Sequence, residues 1–149
     1  MYILGTIKDY LSTDHRKCDE LFAKMEDAAG KSLADAKTIY DEFAQETNRH
    51  FAMEEKVMFV EFEQKTGMTQ GPTAVMRQEH TQMRSLMSQL DDAIESNNKD
   101  KFFGLTETLM ILLQQHNMKE EQMLYTMAQQ HLSADADRIV DMMDSIVPE

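Results

Sequence analysis

Apolar residues recur along this chain at steps of three and four, in four long stretches and one short one. That is the spacing of amphipathic helices rather than strands. In the first stretch Ile7, Leu11, His15, Cys18, Phe22 and Met25 form one stripe. They predict a helix over about 5–29, with Thr6 as its cap, Asp9 as capping-box partner and Gly30 just past its end. Ser32 with Asp35 opens a second helix over about 33–65, whose stripe is Ile39, Phe43, Thr47, His50, Glu54, Val57 and Glu61. Thr69-Gln70-Gly71-Pro72 breaks the pattern, and Pro72 suits the first turn of a third helix over about 72–96. Met76, His80, Met83, Met87, Leu90 and Ile94 form its stripe. After the polar turn Asn97-Asn98-Lys99-Asp100 comes a fourth helix over about 101–130, with Leu105, Leu109, Leu112, His116, Glu120, Met123 and Met127 facing inward. Ser133, with Asp135 and Asp137, caps a short fifth helix over about 134–146.

Four long amphipathic helices joined by short connections predict an all-α fold: an antiparallel up-down four-helix bundle with a short C-terminal helix, one domain over residues 1–149. Two prolines and five glycines in the whole chain agree with helix throughout. A net charge of −12 argues against nucleic acid or an anionic membrane as partner, since both call for a basic face. No apolar run approaches the roughly 20 residues of a membrane span. Met1 to Asp9 lacks the basic-then-apolar order of a secretory signal. The single cysteine, Cys18, excludes an intrachain disulfide and fits a reducing cytoplasm, which is the expected location.

The unusual feature is polar residues on stripes that should face a core. His50-Phe51-Ala52-Met53-Glu54-Glu55 and His116-Asn117-Met118-Lys119-Glu120-Glu121 both read His-x-x-x-Glu-Glu, and on a helix each sets an imidazole one turn from a carboxylate. The two are 66 residues apart, and Asp14-His15 stands 65 residues before Glu79-His80. An internal repeat of helix pairs would bring matching residues together about a pseudo-two-fold axis. Four imidazoles and two carboxylates then converge at the centre. Burying these groups costs several kcal/mol unless each finds a partner, and cations would partner all six. Bridging carboxylates would let two metal centres share them, with room for an oxo, hydroxo or water bridge. Imidazole and carboxylate without thiolate suit iron ahead of manganese or zinc. Six ligands exceed the four of a structural zinc site.

On these residues the chain resembles the hemerythrin-like, HHE cation-binding family. The motifs that carry the resemblance are Asp14-His15, His50-x-x-x-Glu54-Glu55, Glu79-His80 and His116-x-x-x-Glu120-Glu121, within about residues 5–130. It implies a non-haem di-iron centre, two iron ions with an oxo or hydroxo bridge. The implied ligands are His15, His50, Glu54, His80, His116 and Glu120, with Glu54 and Glu120 bridging. Oxygen-carrying members place a second His four residues from the third-helix His, where this chain has Met76 and Arg84, and an Asp where it has Glu121. The four-His, two-Glu set is similar instead to bacterial di-iron proteins linked to repair of damaged iron centres.

The function these readings imply is binding of, or reaction with, O2, NO or peroxide in stress response or sensing. The expected partners are a small diatomic gas or peroxide, with a reductase or an iron–sulfur protein as candidate protein partners. An iron donor or reservoir for damaged iron–sulfur centres is the alternative. Enzymatic turnover, as an NO reductase or peroxidase, would need an electron donor. A metal-free interaction bundle is the blandest reading. Glu55 and Glu121 read as carboxylates outside the ligand set, and Asp14 and Glu79 as solvated. Phe59 and Tyr125 read as core aromatics, with a Tyr125 hydroxyl near the metals as the lesser option. Cys18 reads as a small buried hydrophobe, His131 as exposed, and the inward methionines as flexible filler.

Overall fold

The structure, a computed structural model, describes residues 6–148; the expected helix start at Gly5 lies outside them. Helix α1 (Ile7–Lys31) begins where the Thr6 hydroxyl accepts from the Asp9 N–H at 3.0 Å. It runs on past Gly30, because the chain turns extended only at Ser32. Ser32 donates its own N–H to the Ala28 carbonyl and accepts the Asp35 N–H at 3.1 Å, so one residue closes α1 and opens α2 (Leu33–Met53).

The second long helix is not uniform. At Glu54–Met58 it passes through one π turn into α3 (Phe59–Thr66), and the Phe59 N–H bonds to the Glu54 carbonyl five residues back. After Gly67 in the left-handed region (φ 75°) and a short connection, Pro72 opens α4 (Pro72–Glu95). Asn97 turns the chain through φ 52°, and the Asn98 side chain accepts the Lys101 N–H at 3.1 Å. Helix α5 (Lys99–Lys119) therefore starts inside what reads in sequence as a polar turn. It meets a second π turn at Glu120–Leu124, with the Tyr125 N–H on the Glu120 carbonyl, before α6 (Tyr125–Leu132).

Each π turn adds a residue to the helical register, so the inward face shifts beyond it. Leu124 and Tyr125 are buried, whereas Met123, inward by unbroken periodicity, is 49% exposed. Ser133 does not cap the last helix. Ser133–Asp135 winds into a 3-10 turn that leads to α7 (Ala136–Asp144), whose first turn has no side-chain cap.

The four long rods are α1, α2 with α3, α4, and α5 with α6; α1 packs along α2, α4 along α5, α2 against α4 and α1 against α6. They form an all-helical bundle, with no strand among the described residues. Its core is two apolar clusters. One gathers Phe22, Met25, Phe43, Met87, Leu90 and Phe102. The other gathers Leu11, Met58, Phe59, Phe62, Leu124 and Tyr125, and α7 covers it with Ile139, Val140 and Met143. Each rod crosses from one cluster to the other through a buried polar residue or pair: His15, His50 with Glu54, His80, or His116 with Glu120. No helix among the described residues is long and apolar enough to cross a membrane.

Because α7 buries apolar side chains over the cluster that holds both π turns, its packing should bear on stability. Ile139→Ala, at a fully buried position, should cost about 2–5 kcal/mol in urea unfolding. Val75→Ala, on an exposed face, should stay within about 0.5 kcal/mol. Equal losses at the two positions would contradict the role given to α7.

Candidate metal centre

The local sequence accounts for where each group points. His50 and Glu54 sit one turn apart in α2 and the π turn that follows, as His116 and Glu120 do at the end of α5. His15 and His80 come from the middles of α1 and α4. All six are 0–3% exposed. The structure brings them together as two overlapping sets. One is His15, His50, Glu54 and Glu120; the other is Glu54, His80, His116 and Glu120. Within each, one atom from every residue lies inside 4.8 Å of the rest. Glu54 and Glu120 belong to both.

A second ring of carboxylates fixes the imidazoles. His50 Nδ1 lies 2.7 Å from Asp14, His116 Nδ1 2.8 Å from Glu79, His80 Nδ1 2.7 Å from Glu55, and His15 Nδ1 2.8 Å from Glu121. An Nδ1–H donated to a carboxylate sets the ring plane and turns Nε2 toward the centre, the arrangement that makes imidazole a good metal ligand. Each acid adjoins one of the six central residues in sequence but serves an imidazole on another rod. Asp14 and Glu79 are thus not merely solvated, contrary to the sequence expectation. The signal was present: they recur with the same 65-residue offset as the histidines they precede.

Further contacts harden this frame. Arg84 grips Glu55 with two bonds of 2.8 and 3.0 Å and lies over the Phe51 ring. Lys119 pairs with Glu79. Phe51 and Phe59 both stack on the His80 ring, at centroid distances of 4.0 and 5.7 Å. Tyr125 stacks on His15 at 5.5 Å, and its hydroxyl lies 2.6 Å from Glu54 Oε2 and 3.0 Å from Glu120 Oε1. The sequence reading ranked that hydroxyl as the lesser option. Five positions past Glu120, an α-helix would have turned it away from the carboxylate. The π turn returns it.

Cys18 is only partly buried, in a narrow cleft with His15, His50 and Thr47, and burial pushes its thiol up to about 11. It is therefore a protonated thiol at neutral pH. His131 is exposed, its ring edge-on to Phe62.

The electrostatics show what the centre lacks. Burial alone would lower His50, yet the Glu54 and Asp14 carboxylates hold it well above its ordinary value. Burial opposes the charge on Glu54 as well, and attraction to His50 with hydrogen bonds from its neighbours holds it well below the carboxylate range. His116 is likewise drawn down by burial but raised by Glu120 to about 9. Even so, Glu54 Oε1, His80 Nε2, His116 Nε2 and Glu120 Oε2 are buried without a hydrogen bond of good geometry, although His80 Nε2 lies 3.0 Å from Glu54 Oε1 and His116 Nε2 3.1 Å from Glu120 Oε1. Imidazole nitrogens and carboxylate oxygens brought together in this way form a donor set that suits cations.

Comparison with known proteins supports this chemistry. The family model for the hemerythrin HHE cation binding domain matches residues 6–128. Neither the curated proteins nor the solved structures gave a match.

In metal-free protein the raised and lowered groups bound the stable pH range. The His116 contribution is complete below 6.5 and disappears as pH rises through about 9. For Glu55, burial is outweighed by His80 and Arg84, which hold it at about 2; its contribution is complete above 4.5 and fades as pH falls toward 2. Thermal midpoints of chelator-treated protein should therefore peak between pH 4.5 and 6.5 and decline toward pH 9. A midpoint that climbs from pH 7 to 9 would refute this balance.

Proposed function

Because the chain belongs to the hemerythrin HHE cation-binding family, we propose that it is a non-haem di-iron protein. Its centre binds or reacts with O2, NO or peroxide, in stress response or sensing, in the cytoplasm. The bundle in this reading runs up and down with antiparallel neighbours, which its short connections support. The observation that carries the proposal is the pair of donor sets joined through Glu54 and Glu120. Two imidazoles for each position and two shared carboxylates suit a pair of like cations held close together.

Bound iron would supply one-electron chemistry and open coordination for a small ligand. The remaining tasks belong to side chains. Asp14, Glu55, Glu79 and Glu121 hold the imidazole planes, and Glu54 and Glu120 span both positions. Phe51 and Phe59 keep water from the faces of His80. On α4, the positions four residues either side of His80 add no imidazole: Met76 is buried in the apolar cluster and Arg84 is engaged by Glu55. A centre with one imidazole fewer than an oxygen carrier keeps more open coordination, which favours reaction over reversible carriage.

Protein grown with iron should contain two iron ions per chain, one for each donor set. Mixed, substoichiometric iron, manganese and zinc would sink the reading. Its visible spectrum should change on reduction and again on adding O2, NO or peroxide; indifference to all three would remove the gas-binding role. Glu54→Ala should lose the paired centre. Asp14→Asn should keep both positions but weaken metal affinity by about 10–100-fold, read by competition with a chelator.

A further inference from the structure

The six central residues match between the two halves of the repeat, but the aromatic residue that follows each π turn does not. Phe59 and Tyr125 are 66 residues apart, the same offset as His50 to His116 and Glu54 to Glu120. Each follows its π turn, and each ring stacks on the lone histidine of the other repeat half: Phe59 on His80 with planes 18° apart, Tyr125 on His15 with planes 24° apart. Both rings are fully buried. The pair therefore differs by a single oxygen.

That oxygen touches one atom from every member of a donor set. Tyr125 Oη is 3.0 Å from His15 Nε2, 3.2 Å from His50 Nε2, 2.6 Å from Glu54 Oε2 and 3.0 Å from Glu120 Oε1. A phenol donates one hydrogen bond and accepts at most two, so hydrogen bonding leaves at least one of the four contacts unaccounted for. The same four residues are the set that could hold a cation. With its ring packed in the second apolar cluster and against His15, the side chain has little room to withdraw.

We propose that Tyr125 is a ligand in its own right, giving its phenol oxygen to the cation held by His15, His50, Glu54 and Glu120. The other position, with Phe59 in the equivalent place, has no such ligand. As the oxygen–metal bond forms, the O–H bond breaks and its proton leaves to solvent; no electron changes hands. A tyrosine oxygen is a hard anionic donor of the kind proteins use on ferric iron. The position beside Tyr125 would thus hold ferric iron more firmly than its neighbour, and the two irons would be chemically distinct. This inference rests on the metal-binding reading above.

The test uses iron-loaded full-length protein, oxidised to the ferric state, with iron counted beside optical and resonance Raman spectra. Wild type should carry two irons and a phenolate-to-iron charge-transfer band whose excitation enhances tyrosine ring modes. Tyr125→Phe should lose both signals, keep its helical circular dichroism and retain iron at the second position. The exchanged variant, Phe59→Tyr with Tyr125→Phe, should regain them. Two irons in wild type without tyrosine modes, or a Tyr125→Phe protein that keeps the band, overturns the inference and leaves the di-iron reading intact. Wild type that takes up no iron overturns both.

Discussion

Everything in this bundle is arranged around the cost of burying six titratable side chains in one cross-section. Six lie at the centre, 0–3% exposed, and four carboxylates stand behind them, each on an imidazole Nδ1. Charged groups taken out of water cost several kcal/mol each unless they are paired and hydrogen-bonded. The outer ring answers part of that cost through the imidazoles, and Arg84 and Lys119 extend it by pairing with Glu55 and Glu79. What the outer ring cannot reach are the inward atoms, among them Glu54 Oε1 and His80 Nε2. The apolar clusters on either side supply the stability against which this polar layer is held.

Much of this was legible in the sequence, because helical periodicity and internal repetition constrain each other. A histidine on an apolar stripe says little alone. His15, His50, His80 and His116 on four stripes, at matching offsets, define one layer of a bundle, and the structure brings all four to it with Glu54 and Glu120. The Thr6 cap of α1, the Ser32 cap that opens α2 and the proline at the head of α4 follow from local capping chemistry and could be read directly, whereas the end of α1, read at Gly30, falls at Ser32.

The illegible part has one physical source. Sequence periodicity assumes a constant 3.6 residues per turn, and both π turns violate it at the shared carboxylates. A π turn is poor helix locally and persists only where packing rewards the displaced register. Nothing within Glu54–Met58 or Glu120–Leu124 announces it. Hence Met123 was placed inside and is outside, while the Tyr125 hydroxyl reaches the centre. The reading of Asp14 and Glu79 as solvated failed differently. Their partners His50 and His116 are supplied by other rods, so no local pattern within either helix pairs them.

The repeat also explains why the two halves need not do the same work. A duplicated helix pair begins with equivalent positions, and packing can then differentiate them at little cost where a substitution leaves the ring in place. Around His80 two phenylalanine rings stack on the imidazole, and Glu55 behind Nδ1 is locked by Arg84. Around His15 and His50 the neighbours differ. A narrow cleft with Cys18, Thr47 and Asn117 adjoins the two rings, and Tyr125 adds a hydroxyl. The position beside Tyr125 has one oxygen more than its counterpart, so the neighbours of the six central residues, rather than those residues themselves, are what set the two positions apart.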